Sequence, residues 1–120
     1  MNLGVKGEAG ERMACDYLKR KGYKVVTRNF YNRLGEIDII CENGEYLVFV
    51  EVKLRSAGAR VTGREAVTAA KQRRIIKTAM IFMQSYPTNL QPRFDVIEVS
   101  GNQLTHIENA FDGGGMGGYI

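Results

Sequence analysis

Four charged residues interrupt two of the most apolar runs in the chain: Glu36 and Asp38 in GEIDIIC, residues 35–41, and Glu51 and Lys53 in YLVFVEVK, residues 46–53. Three carboxylates and an amine are the groups that hold a hard divalent cation and steady charge on a phosphate. A salt bridge at a solvated strand end is the plainer use of any one of them, and it is their arrangement that favours a site. The two runs flank Asn43-Gly44, a strong hairpin signal. With the turn centred between those residues, Glu36 faces Glu51 and Asp38 faces Phe49. Side chains alternate faces along a strand, and cross-strand partners share a face. Glu36, Asp38, Glu51 and Lys53 then project from one face, while Ile37, Ile39, Val48, Val50 and Val52 make an uninterrupted apolar layer on the other. Carboxylates about 5 Å apart repel, and in a partly buried place they cannot both stay ionised cheaply. Lys53 offsets one charge. The remaining excess suits Mg²⁺, which is typically held by one or two carboxylates, waters and a substrate phosphate.

The elements that must carry these groups follow from periodicity. Residues 6–21 read as a helix with Met13, Ala14, Tyr17 and Leu18 on an apolar stripe and Gly22 in the C-terminal capping position. Gly4, Gly7 and Gly10 weaken that helix by up to about 1 kcal/mol each relative to alanine, which points to close backbone approach or a frayed start. YKVVTRNF is a first strand, and the two interrupted runs make the hairpin. SAGAR, residues 56–60, is a loop, and Thr62 and Gly63 precede a long helix over residues 64–84 that Pro87 ends. Its second half, from Ile75 to Met83, is apolar nearly all round and therefore core, so its methionines need no functional reading. RFDVIEV is a further strand, QLTHIEN a short last one, and GGGMGG a flexible tail. The order is αβββαβ with an added strand. The helix crossing from the strand at Glu51 to the strand at Asp95 predicts that these two pair in parallel, giving a mixed sheet with helices on both faces.

Charge is regional. Between residues 52 and 77 the basic residues Lys53, Arg55, Arg60, Arg64, Lys71, Arg73, Arg74 and Lys77 meet one acid, Glu65. That segment nets +7 in a chain of net charge +4, so the remainder nets −3. A focused basic segment fits a polyanion such as nucleic acid, although a solvated basic helix face has the same composition. Arg64, Lys71 and Arg74 fall on one helical stripe, with Arg55 and Arg60 flanking the loop before it. Contacts of this kind position a phosphate backbone without reading its sequence. The 120 residues, 44% hydrophobic and 25% charged, suit one domain over residues 1–112 followed by the tail at 113–120. Lys6 and Glu8 stand where a signal peptide needs apolar residues, and no run approaches the roughly 20 that span a bilayer, so a cytoplasmic protein with no membrane partner is expected. Cys15, Cys41 and the lone His106 share no metal-type spacing, and zinc is not expected.

Asp38, twelve intervening residues and then Glu51-Val52-Lys53 resemble the PD-(D/E)XK signature of the restriction-endonuclease-like superfamily, with Ile37 in place of the proline that names it. Taken in order, LGVKGEAGERMACDYLKRKGY, RNF, GEIDII, VFVEVKLR, RFDVIEV and HIENAF resemble the YraN-like family of uncharacterised bacterial proteins, which is similar in fold to archaeal Holliday-junction resolvases. The resemblance extends from Leu3 to Phe111.

It implies roles for particular residues. Asp38 and Glu51 are the metal ligands, with the carbonyl of Val52 a third, and Lys53 orients the attacking water or steadies the phosphate. Glu11 matches a helix-one glutamate that approaches the metal in resolvases. On its own evidence Glu11 shares the stripe of Ala14 and Leu18, and its neighbours at i+3 and i+4, Ala14 and Cys15, offer no salt bridge; an ordinary exposed helix glutamate fits equally well. Glu36 is left as a supporting or alternate ligand. The implied activity is Mg²⁺- or Mn²⁺-dependent hydrolysis of phosphodiester bonds in DNA, recognised by structure more than by sequence, branched or junction DNA being the resolvase precedent. Resolvases act as homodimers, although no segment here identifies an interface. The reading from another class is a non-catalytic nucleic-acid-binding or adaptor module on the same fold, against which stands the poor fit of clustered acids with a phosphate-binding surface.

Overall fold

Apolar residues at helical spacing draw the first element onto a sheet. In a computed structural model, which describes residues 3–55 and 67–112 with side chains from residue 7 onward, α1 spans Leu3–Arg20 and buries Ala14, Cys15 and Leu18. The strands β1 (Lys24–Asn32), β2 (Gly35–Glu42) and β3 (Tyr46–Leu54) follow, then α2 (Ala69–Gln84), β4 (Gln91–Ser100) and β5 (Gln103–Phe111). The five strands stand in sequence order across one sheet. β3 and β4 run parallel from Tyr46↔Gln91 to Leu54↔Val99, and the other neighbours are antiparallel. The expected parallel crossover through α2 is therefore present. Helices cover both faces: Ala14, Cys15 and Leu18 of α1 pack with Ile39, Cys41, Val48, Val50 and Ile97, and Ile75, Ala79 and Phe82 of α2 pack with Ile37, Ile40, Phe49, Phe94 and Val96. This mixed α/β architecture is consistent with a restriction-endonuclease-like core. No helix among the described residues is long and apolar enough to cross a membrane.

Three details differ from the sequence reading, each for a local reason. The hairpin is not centred between Asn43 and Gly44. The Asn43 side chain accepts from the N–H groups of Glu45 (3.1 Å) and Tyr46 (2.9 Å), which draws Glu45 into the turn, so Glu42 pairs with Leu47 and Ile39 with Val50. The register moves by two, an even step that preserves facing. Asp38 rather than Glu36 comes to lie beside Glu51. The second difference is the start of α2, which begins at Ala69 rather than residue 64; Thr68 is its cap and accepts from the Lys71 N–H at 3.1 Å. The loop at residues 56–60, the positions of Arg60 and Arg64, and the glycine-rich tail lie outside the described residues.

The third difference is Ile37, which packs on the α2 side and not with Ile39, Val48, Val50 and Val52. Opposite Asp38 in the β1–β2 register stands Asn29 at φ 54°. A left-handed residue breaks the two-residue alternation of a strand, so Arg28 pairs with Ile39 while Phe30, with Ile37, belongs to the α2 side.

The apolar face under α1 also contains a buried polar network. Asp95 and Arg93, alternate residues of β4, form a two-point ion pair at 2.9 and 2.7 Å. His106 Nε2 lies 2.7 Å from Asp95 Oδ2, and its Nδ1 lies 3.0 Å from the Tyr17 hydroxyl of α1. The N–H of Asn109, another left-handed residue at φ 52°, donates to Asp95 Oδ1 at 3.0 Å. Arg93 also donates to the Tyr23 hydroxyl at 2.8 Å. Burial alone would raise the Asp95 carboxyl, but the bonds from His106, Arg93 and Asn109 outweigh it and hold the carboxyl below its ordinary 3.8. A depressed carboxylate stabilises the fold above its unfolded pKa and loses that contribution as pH falls through its folded value. Asp95→Ala, which takes the two short bonds from buried Arg93 and leaves it the Tyr23 hydroxyl and a 3.8 Å pair with Glu108, is expected to cost about 3 kcal/mol in a urea titration at neutral pH. It should also lessen the loss of stability that the parent shows below about pH 4. A variant as stable as the parent would mean that the network is solvated.

Candidate active site at the fork of the sheet

Ile39↔Val50 is the last pair between β2 and β3 before the two strands separate. Beyond it β2 continues with β1 as far as Asn32↔Gly35, and β3 continues with β4 as far as Leu54↔Val99. At the parting point the Val52 N–H donates to Asp38 Oδ2 at 2.7 Å. A side chain has taken a ladder amide, and the sheet opens into a fork with Asp38 at its apex.

On the α2 side of the fork stands Glu51, only 6% exposed. Two ammonium groups approach the same carboxylate oxygen, Lys53 Nζ at 3.6 Å and Lys71 Nζ at 3.2 Å. Lys53 comes from two residues along β3, and Lys71 from the first turn of α2. On the α1 side Glu11 pairs with Arg28 at 3.6 Å and lies beside Asn29. A Cβ at Gly10 would sit 2.4 Å from Leu54 Cδ2, the tip of a half-exposed side chain that can turn aside. Burial raises the Glu11 carboxyl against the pull of Asn29 and Arg28.

Asp38 feels both sides. Burial, the charge of Glu51 and those of Glu11 and Glu36 push its carboxyl up to about 8, with only the Val52 N–H opposing them. It takes part in none of the ion pairs formed by its neighbours. Among the described residues no three His, Cys, Asp or Glu side chains already form a metal cage, since Asp38 is turned to an amide, Glu51 to two amines and Glu11 to Arg28. What the fork presents is two adjacent carboxyl groups, that of Asp38 pushed up to about 8 and so mostly protonated at neutral pH, and a backbone unit at Val52. That set suits an ion that keeps several of its waters and completes its shell from a substrate phosphate.

The structure thus brings Asp38, Glu51, Val52 and Lys53 together, with Glu11 approaching from the opposite side of the sheet. Glu36 is exposed and lies further out on β2, where its charge still acts on Glu11 and Asp38. Arg74 is exposed on α2, whereas Arg55 is tied to Glu98 through Nε at 3.1 Å. Lys71, expected on a phosphate-facing stripe, has its amine inside the site. At the level of sequence Arg28 and Asn29 belong only to the strand YKVVTRNF and the family segment RNF, with no role given to either. Their signal was a polar pair in the middle of the first strand, the analogue of the Glu51 and Lys53 interruption in β3.

Comparison with known proteins gives a family without a stated reaction. Residues 10–99 match the model described as "Uncharacterised protein family UPF0102". A UPF0102 protein of Symbiobacterium thermophilum is 48% identical over 111 residues, covering 88% of this chain and 94% of that one. Another from Sulfurihydrogenibium sp. is 45% identical over 114 residues, covering 92% and 97%. A third, from Persephonella marina, is 40% identical over 109 residues, covering 90% and 94%.

The crowding at the fork has a consequence for stability. A carboxyl raised from 3.8 to about 8 binds more protons in the folded state. Its contribution is complete below the unfolded pKa and disappears as pH rises through the folded value. In metal-free buffer, stability should decline between about pH 4 and 8, and Asp38→Asn, which keeps an acceptor for Val52, should flatten that decline. At neutral pH the variant should melt higher, by roughly 4 °C if the relief is about 1 kcal/mol. A lower melting temperature with an unchanged pH slope would show instead that Asp38 is a stabilising anion.

Proposed function

The chain belongs to the UPF0102 family, and we propose that it is a divalent-metal-dependent nuclease hydrolysing phosphodiester bonds in DNA, with branched or junction DNA as the substrate its resemblance to resolvases suggests. The observation that carries this reading is the pair of buried carboxyl groups at the apex: Asp38, whose ionisation is resisted until about pH 8, beside Glu51, which has an amine within 3.6 Å. A divalent cation entering there would favour ionisation of Asp38 and lower its pKa. Bound Mg²⁺ or Mn²⁺ would polarise a phosphate and lower the pKa of a coordinated water. Asp38 and Glu51 are the residues to hold it, with the Val52 carbonyl and Glu11 in supporting positions. Lys53 stands beside Glu51, where its ammonium can steady charge developing on the phosphate or orient the attacking water. Arg28 has a buried Nε without a hydrogen-bond partner, an unused donor next to the acids. Exposed Arg73, Arg74 and Lys77 on α2, together with Arg55, Arg60 and Arg64, supply the charge to hold a phosphate backbone.

One observation favours a second reading. Glu51 already has two ammonium partners, so the site can be neutralised without metal, as a non-catalytic nucleic-acid-binding or adaptor module would require. A panel of linear, nicked, flapped and four-way-junction DNA, assayed with Mg²⁺ or Mn²⁺, separates the two. The nuclease reading expects cleavage that depends on the metal and falls by at least about a hundredfold in Asp38→Ala, Glu51→Ala and Lys53→Ala, each checked for folding by circular dichroism. Binding without cleavage under every condition would favour the adaptor. Cleavage surviving in all three variants would place the activity elsewhere.

A further inference from the structure

The cation nearest Glu51 in the fork is a lysine from another element. Lys71 Nζ stands 3.2 Å from Glu51 Oε2, closer than Lys53 Nζ at 3.6 Å on the same oxygen. The two amines are held differently. Lys53 lies on the same strand as Glu51, two residues away, and remains beside it whatever α2 does. Lys71 reaches in from the first turn of α2, and its side chain is 38% exposed against 6% for Glu51. Its backbone is fixed, because Thr68 Oγ1 accepts from the Lys71 N–H at 3.1 Å and the Gln72 side chain donates to the Val67 carbonyl at 2.9 Å. Only the flexible stem and its ammonium are free to move.

The position does nothing for the helix. The first turn of a helix favours negative charge and disfavours positive charge. α2 has no acid in its first turn and places Lys71 there. A lysine at a disfavoured end, with its head on a buried carboxylate of another element, is accounted for by the carboxylate.

We infer that Lys71 is an internal counter-cation of Glu51 that an entering divalent ion displaces, and that the released ammonium then binds the phosphate of the substrate, so that metal and nucleic acid bind cooperatively. This rests on the metal-dependent reading given above. Without substrate, the metal must compete with an ammonium already in place. With a phosphodiester present, the displaced amine gains a new anionic partner at the same site, and the cost of displacing it is offset. Coupling of this kind is reciprocal, so metal strengthens nucleic-acid binding by the factor by which nucleic acid strengthens metal binding.

The test is binding, independent of turnover. Free Mn²⁺ is followed by its electron paramagnetic resonance signal during titration of the full chain, with and without a phosphorothioate-backbone DNA duplex. The proteins are the parent, Lys71→Met, Lys71→Gln, Lys71→Arg and Glu51→Gln. Without DNA, Lys71→Met and Lys71→Gln are expected to bind Mn²⁺ about tenfold more tightly than the parent, because a competing charge has been removed. Both should lose the tightening that DNA produces in the parent, and Lys71→Arg, which keeps the charge, should retain it. If binding depends on Glu51 but is unchanged or weaker in both neutral variants, the lysine inference is overturned and the nuclease reading stands. If Glu51→Gln binds Mn²⁺ like the parent, the metal is not at Glu51 and both fall.

Discussion

The hydrogen bond from the Val52 N–H to Asp38 Oδ2, 2.7 Å long, decides the shape of everything around it. A strand amide given to a side chain cannot also serve a ladder, so β2 and β3 separate where the bond forms. The fork gives Asp38 an interior position without enclosing it. Glu51 and Lys53 face α2, and α1 brings Glu11 near from the other side. Asn29 opposite Asp38 completes the break, because its left-handed backbone reverses which residues of β1 and β2 face each helix.

The same sheet contains a control for this site. Asp95 is also buried and also stands near a left-handed asparagine, yet it is surrounded by donors: both ends of a guanidinium fork, an imidazole and a backbone N–H. Its carboxyl is held low, whereas that of Asp38 is driven to about 8. Burial is common to both, so the donors around Asp95 and the neighbouring carboxylates around Asp38 decide the difference. The fold can neutralise an interior carboxylate where structure alone is served. At the fork it stops short of doing so, and perturbed carboxyls of this kind concentrate where chemistry is done.

Much of this was legible from periodicity. The hairpin, the parallel crossover and the two-sided covering follow from runs of alternating or helical hydrophobicity, and the shared facing of Glu51 and Lys53 survived because the error in register was even, whereas Asp38 sits where the alternation of β2 breaks. What escaped were features set by single side chains acting on backbone. Asn43 widened the turn through its own carbonyl oxygen, Thr68 moved the start of α2, and Asn29 put Ile37 on the α2 side. Long-range pairs escaped as well: Lys71 lies 20 positions from Glu51, and Tyr17 lies 89 from His106. The Arg93 and Asp95 pair could have been found by the rule that found Glu51 and Lys53, since both are alternate charges in an apolar strand.

The pairing shifts in the two outer strands have another consequence, which concerns growth of the sheet. β1 and β5 are its edges, and Asn29 and Asn109 lie in those strands, each of which also has a shift in its pairing. An unprotected edge is a template on which a second chain can add a strand, and repetition of that step makes fibres. A bulge bends the row of free N–H and C=O groups out of line. The bulge between Val25 and Thr27 in β1 and the one around Asn109 in β5 therefore interrupt both templates, and strand addition at either edge would be confined to the short straight runs on each side of a bulge.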